Sequence, residues 1–134
     1  MENLILPGSE KTPHFNLLSN GDISFGGVSM PEDAADFYYK ILDWISDYYR
    51  EPSKDTFITV SFRYLNSSSS SMIFKIFQCF NKLQATGKTN VRCNWYYEQT
   101  DQSMRDYIQK VMEYTDLIEY KVHPTDNILD ARAS

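Results

Sequence analysis

The sequence predicts a single α/β domain in which a mixed, mostly parallel β-sheet with an N-terminal hairpin packs against three main helices. Segments rich in β-branched and aromatic residues alternate along the chain with segments whose apolar residues recur every three or four positions. Strands that alternate with helices are joined by crossover connections and therefore pair in parallel. Asn20 and Gly21 lie between two short apolar runs, a pattern that favours a tight antiparallel turn.

The first predicted elements are the hairpin and a helix. Residues 15–18 and 23–25 form the two arms of the hairpin. A helix is predicted over 32–49, because the apolar residues of this segment fall on one helical face. Ser29 and Pro31, followed by acidic residues that complement the positive end of a helix, mark its start.

A central strand and a second helix follow. Residues 56–65 are β-branched and aromatic and nearly alternate, and one face of this strand carries Ile58, Val60, Phe62 and Tyr64. Apolar residues at helical steps then continue to Gly87, which suits the end of a helix. The second helix therefore begins inside the serine run that follows the strand.

The C-terminal part of the sequence repeats the alternation. We expect a strand at 91–97, a helix around 104–112 and a last strand at 117–122. Residues 124–134 show no periodicity and are predicted to form a flexible tail. The regulatory or binding domain would then span residues 1–123.

Composition excludes several classes of function. The 134 residues include 13 basic and 18 acidic side chains, a net charge of −5, and the basic residues are scattered singly, so we expect no nucleic-acid binding. No apolar run approaches the about 20 residues of a membrane span, so we expect no membrane insertion. Two isolated cysteines in segments that look buried fit a cytoplasmic protein.

Catalytic and cofactor motifs are absent from the sequence. His14 and His123 lie near opposite ends of the chain with no cysteine or carboxylate at ligand spacing, so we expect no metal site. The sequence has neither the G-x-S-x-G turn of a serine hydrolase nor a glycine-rich nucleotide loop. We therefore expect no cofactor and no enzymatic activity.

The serine run 67–71 is the feature of the sequence that points to a function. Because a strand ends at Leu65 and a helix is established by Met72, the run is a tight strand-to-helix turn rather than a linker. Such turns meet at the exposed carboxyl edge of an α/β sheet. The serines either simply cap the helix or accept a phosphate, whose charge of about −1.5 to −2 the helix start would tolerate and a docked partner would not.

Short motifs along most of the sequence resemble the SiaC family of bacterial regulatory phosphoproteins, whose fold is similar to the STAS domains of anti-sigma-factor antagonists. The matching segments are Leu6-Pro7-Gly8-Ser9 with Thr12-Pro13, Ser29-Met30-Pro31-Glu32 with Tyr39, Ile41, Leu42 and Trp44, Tyr64-Leu65-Asn66-Ser67-Ser68-Ser69, and Asn94-Trp95-Tyr96-Tyr97 with Asp101 and Met104. The resemblance covers residues 4–122.

The resemblance implies a phosphorylation switch. The phosphorylated threonine of the family falls on Ser67, with Ser68 and Ser69 as alternative acceptors, and Asn66 and Tyr64 support the turn. It also implies a dedicated serine/threonine kinase of GHKL-type fold and a PP2C-like phosphatase as partners. The unphosphorylated form would bind and stimulate a diguanylate cyclase, which favours aggregation and biofilm formation.

Three alternatives remain open at the level of sequence. The effector could belong to a sigma-factor pathway; a serine of the turn could be the nucleophile of a small hydrolase, which needs a histidine nearby; or the domain could bind constitutively, with serines that only cap the helix. For the partner surface we name Trp44 and Tyr49, because both fall off the apolar stripe of the first helix. Arg63 is expected to face solvent.

Overall fold

A computed structural model describes residues 1–117 and 119–128, which form a three-helix layer packed on a six-stranded sheet. The strands lie in chain order, β1-β2-β3-β4-β5-β6; β1, β2 and β3 pair antiparallel, and β3 to β6 pair in parallel. The elements are β1 Leu4–Leu6, β2 His14–Leu17, β3 Asp22–Ser29, α1 Ala34–Arg50, β4 Asp55–Leu65, α2 Ser67–Ala85, β5 Asn90–Glu98, α3 Gln102–Glu113 and β6 Glu119–Thr125.

One face of the sheet is covered by helices and the other is not, because the parallel strands β3 to β6 lie side by side in chain order. Right-handed crossovers then place every connecting helix on the same face. The core between that face and the helices is aromatic and aliphatic, and its largest fully buried side chains include Trp95, Tyr38, Tyr48, Phe15, Phe25, Phe62, Phe77 and Phe80. The opposite face is more polar, with Ser24, Thr59 and Asn94 half-buried.

Helix α1 is fixed to the sheet at its C-terminal end by a chain of buried hydroxyl groups. The Tyr48 hydroxyl lies 2.8 Å from Thr56 Oγ1, which lies 2.7 Å from Thr89 Oγ1. The backbone N–H of Ser53 also donates to the Tyr48 hydroxyl, at 3.2 Å. These contacts join α1 to β4 and to the residue before β5, at the amino end of the parallel strands.

The predicted fold class is confirmed, including the hairpin, the parallel sheet and the three helices. Strand β1 was not predicted, because three residues are too few to show periodicity. Tyr64 was expected on the same face of the strand as Phe62, but Phe62 is buried and Tyr64 is 51% exposed, because the pairing of β3 with β4 shifts between Gly27 and Val28. Helix α1 begins later than expected, with Asp33 as its N-cap.

Part of the segment predicted as a flexible tail belongs to the described fold. Strand β6 continues to Thr125, two residues past the expected domain boundary at 123. Beyond it, Ile128 is buried and its N–H donates to Glu98 Oε1 at 3.0 Å, which ties this segment to the end of β5. The remaining residues of that segment, 129–134, lie outside the described residues.

None of the helices in the described part of the chain combines the length and the apolar content that a membrane crossing requires. Over the same residues, histidine, cysteine and carboxylate side chains do not gather in groups of three that could hold a metal ion.

Two glycines with positive φ provide a first test. At Gly21 (φ 102°) an added Cβ would lie 2.1 Å from the carbonyl oxygen of Asp55, whereas at Gly87 (φ 71°) it would meet nothing within 4 Å. Both alanine variants suffer backbone strain of about 1 kcal/mol. We expect Gly21→Ala to lose at least about 3 kcal/mol in the free energy of unfolding, measured in urea, because the hairpin must also move away from β4. Equal losses for the two variants would contradict this account.

Candidate functional site

The serine turn lies at the carboxyl edge of the sheet, where β4 passes into α2. Asn66 has an extended backbone and is the N-cap of α2: its Oδ1 accepts the backbone N–H of Ser69 at 2.9 Å. The same oxygen accepts the hydroxyl of Ser68 at 3.3 Å. The helix therefore starts at Ser67, which occupies its first position.

The serines of the run differ in exposure although their chemistry is the same. Ser67, Ser68 and Ser71 are exposed, Ser70 is half-buried, and Ser69 is 0% exposed. Ser70 Oγ donates to the carbonyl of Asn66 at 3.0 Å. The side chain of Ser67 has no hydrogen-bond partner within the ranges 1–117 and 119–128. The predicted acceptor is thus on the surface, and the alternative Ser69 is wrong because a modifying enzyme cannot reach it.

Ser29, at the end of β3, holds the turn from inside the protein. Its carbonyl accepts the N–H of Asn66 at 3.0 Å, and its hydroxyl donates to Ser69 Oγ at 2.8 Å. The hydroxyl of Tyr38, on α1, lies 2.7 Å from Ser29 Oγ. Because Ser29 has one hydroxyl proton and gives it to Ser69, Tyr38 is the donor in this pair.

The tyrosines around the turn stay protonated. Burial raises the pKa of Tyr38 to about 12, while its hydrogen bonds to serine hydroxyls act in the opposite direction. Burial also raises the pKa of Tyr107, whose hydroxyl donates to the carbonyl of Ser70 at 2.6 Å. The first turn of α2 is therefore tied to β3 and α1 on one side and to α3 on the other.

The three helices that start near this edge differ in charge at their first residues. Helix α1 has the carboxylate of Asp33 at its N-cap and Asp36 in its first turn, and α3 has Asp101 at its N-cap. Helix α2 has a neutral N-cap and no acidic residue in its first turn. The positive end of its dipole is thus not offset by a carboxylate of its own, which favours an added anion.

The structure separates the other candidate residues. Tyr64 and the exposed Arg63 line a shallow groove of about 220 Å³ with Asp101 and Tyr107, beside the serine turn. Tyr49 is 42% exposed on the outer side of α1, far along the helix from its start. Trp44 is not a surface residue: it is 7% exposed and stacks on Tyr48, and its Nε1 donates to the carbonyl of Glu2 at 2.9 Å.

The two histidines argue against a hydrolase. Backbone pairing across the sheet runs from His14 through Gly26, Ser61 and Tyr96 to His123. The two histidines therefore lie in one row that crosses β4 at Ser61. This row is four residues, about 13 Å, before the end of β4. His123 Nε2 is also 2.9 Å from Asn94 Oδ1. Neither histidine is therefore placed to act as a base for Ser67, which argues against the hydrolase alternative.

Sequence reasoning missed the roles of Ser29 and Tyr107. Ser29 was read as a helix-start signal, because serine two residues before proline is typical of a cap. Its actual hydroxyl partner, Ser69, is 40 residues away in sequence. Tyr107 lies within the helix predicted around 104–112, and nothing in its local pattern shows that its hydroxyl donates to a carbonyl 37 residues away.

Comparison with known proteins gives consistent matches. The family model for SiaC family regulatory phosphoproteins matches residues 6–125. An uncharacterized protein of Pseudomonas aeruginosa (strain UCBPP-PA14) is 22% identical over 114 residues, 84% of this chain and 90% of that protein.

Solved structures match over almost the whole chain. Apo-SiaC from Pseudomonas aeruginosa gives a TM-score of 0.80 at 20% identity, covering 92% of this chain and 99% of that one. SiaC from the same organism, in complex with the diguanylate cyclase SiaD that it activates, also gives 0.80, at 19% identity and covering 91% and 99% of the two chains.

Substitutions at Asn66 test the geometry of the turn. We expect Asn66→Ala to lower the free energy of unfolding by about 1 kcal/mol, because the N–H of Ser69 loses its acceptor. Asn66→Asp keeps an acceptor and adds a favourable negative charge at the helix start, so it should be at least as stable as the wild type. Urea unfolding at neutral pH measures both. Destabilisation by aspartate as large as that by alanine would contradict the assignment of Asn66 as the cap.

Proposed function

Because the chain belongs to the SiaC family of regulatory phosphoproteins, we propose that it is a binding module controlled by phosphorylation of Ser67. In this proposal the unphosphorylated form binds and activates an effector, a diguanylate cyclase, and the phosphorylated form does not. The observation that carries the proposal is the exposed Ser67 hydroxyl at the start of a helix that has no acidic residue in its first turn.

The fold can accept a phosphate on Ser67 without rearrangement. The side chain is exposed, so the added group needs no cavity. The charge of about −1.5 to −2 is placed at the positive end of α2, where the interaction is favourable. The modified protein should therefore stay folded, and the effect of the phosphate falls on whatever binds to this surface.

A partner that docks on the turn would contact exposed apolar groups on both sides of it. Met30, which follows β3, is 39% exposed, and Tyr64, near the end of β4, is 51% exposed. An effector that covers these side chains would have to remove water from a dianion once Ser67 is phosphorylated. The desolvation cost and the added bulk oppose binding, so one modification turns the interaction off.

The choice of effector and modifying enzymes follows from the family. SiaC from Pseudomonas aeruginosa is the activator of the diguanylate cyclase SiaD, and we extend this type of partner to the present chain. A serine/threonine kinase of GHKL-type fold and a PP2C-like phosphatase complete the proposed cycle. Catalysis by the chain itself is not part of the proposal, because both histidines lie away from the serines.

Charge substitutions at Ser67 test the switch. We expect Ser67→Ala to bind the diguanylate cyclase of the same organism like the unmodified protein, and Ser67→Asp to weaken binding about tenfold or more through charge at the docking surface. Isothermal titration calorimetry gives the Kd, and the rate of cyclic di-GMP formation gives activation.

Ser46→Asp is the matched control, because Ser46 is exposed on α1 away from the turn and the substitution changes the net charge equally. It should leave binding unchanged. Equal affinity of the Ser67→Ala and Ser67→Asp variants would rule out control by charge at this position.

A further inference from the structure

We propose that Ser29 determines which serine of the run 67–71 receives the phosphate, because it holds the first turn of α2 in one rotational setting. The inference rests on the proposed function, since it presumes a kinase that acts on this turn. It adds a residue that neither contacts the phosphate nor lies on the surface: Ser29 is 0% exposed.

The geometry of a helix links the directions of neighbouring side chains. Successive residues are rotated by about 100° around the axis, so residues two apart point in nearly opposite directions. Ser69 points into the protein, where Ser29 donates to it at 2.8 Å. Ser67 must then point outward, and Ser68 points sideways. Fixing one hydroxyl inside the protein thus presents another one to solvent.

The contacts of Ser29 are suited to this role because they act on both sides of Ser67. Its carbonyl accepts the N–H of Asn66, one residue before Ser67, at 3.0 Å. Its hydroxyl donates to Ser69 Oγ, two residues after Ser67. The hydroxyl of Tyr38, also 0% exposed, lies 2.7 Å from Ser29 Oγ and donates to it. The turn is therefore held by the end of β3 and by α1 in addition to its own Asn66 cap.

The other hydroxyls of the run are engaged in local hydrogen bonds. Ser68 donates to Asn66 Oδ1 at 3.3 Å, Ser70 to the carbonyl of Asn66 at 3.0 Å, and Ser71 to the carbonyl of Ser67 at 3.3 Å. An enzyme that modifies one of these must first break a bond, whereas the hydroxyl of Ser67 has no partner in the described part of the chain.

Removing the hydroxyl of Ser29 should therefore relax the choice of acceptor. In Ser29→Ala the hydroxyl of Ser69 loses its donor in a buried position, and the first turn of α2, which precedes the buried apolar residues of the helix, frays more readily. Ser68 and Ser69 would then be presented to the kinase together with Ser67.

The experiment compares the sites of phosphorylation in protein isolated from its native cells, with each variant encoded at the native locus. Fragment mass spectra of the peptide that contains residues 66–71 give the share of phosphate on each serine. Tyr48→Phe is the control, because it also removes a fully buried hydroxyl bonded to another hydroxyl, but at the far end of α1. Hydrogen exchange of the backbone amides of Ser69 and Ser70, which are bonded to Asn66, is followed on the same proteins.

We expect the wild type and Tyr48→Phe to carry nearly all phosphate on Ser67. In Ser29→Ala that share should fall to about half, with about tenfold faster exchange of the Ser69 and Ser70 amides. Phosphate that stays on Ser67 in Ser29→Ala would overturn the role of Ser29 and leave the proposed function intact. Absence of phosphate from all of these proteins would overturn the proposed function, and this inference with it.

A second variant decides the matter if Ser29→Ala does not fold, as judged by circular dichroism. Ser69→Ala removes the hydrogen bond from the other side, while Tyr38, Ser29 and the Asn66 cap keep their remaining contacts. The share of phosphate on Ser68 should rise in this variant. An unchanged ratio of Ser67 to Ser68 would overturn the inference.

Discussion

The arrangement of the serine turn depends on one buried serine at the end of β3. The carbonyl of Ser29 accepts the N–H of Asn66, and its hydroxyl donates to Ser69 Oγ. A single residue therefore fixes the backbone just before α2 and a side chain in the first turn of that helix. Both groups are away from water, where an unsatisfied polar group costs about 1–3 kcal/mol. These buried hydrogen bonds therefore hold the start of α2 in one arrangement without the help of exposed side chains.

This constraint explains how one member of a run of identical residues can differ from the others in exposure and in hydrogen bonding. A serine run is flexible when nothing holds it, because its members compete equally for the backbone. Here the Asn66 cap, the buried hydroxyl of Ser69 and the contact of Tyr107 with Ser70 leave Ser67 exposed at the positive end of the helix. If Ser67 is phosphorylated as proposed, the same contacts keep the core intact, since the side chain of Ser67 faces solvent.

Sequence reasoning succeeded where the signal was local and periodic. The alternation in β4, the helical spacing of α1 and the Asn-Gly turn each lie within a few residues, and they were enough to place the serine turn between a strand and a helix. It failed where a residue's role depends on a distant partner. Trp44 was expected at the surface but is buried, and its Nε1 donates to the carbonyl of Glu2, 42 residues away. Ser29 resembled a cap, although its hydroxyl partner is 40 residues away.

The hydroxyl contacts at the two ends of α1 limit how the length of this helix can vary among related proteins. Tyr38 reaches Ser29 at one edge of the sheet, and Tyr48 reaches Thr56 at the other. Inserting or deleting one residue between them would turn one tyrosine by about 100° away from its partner. Insertions and deletions should therefore collect in the loops, while the ten-residue spacing between these two tyrosines stays constant.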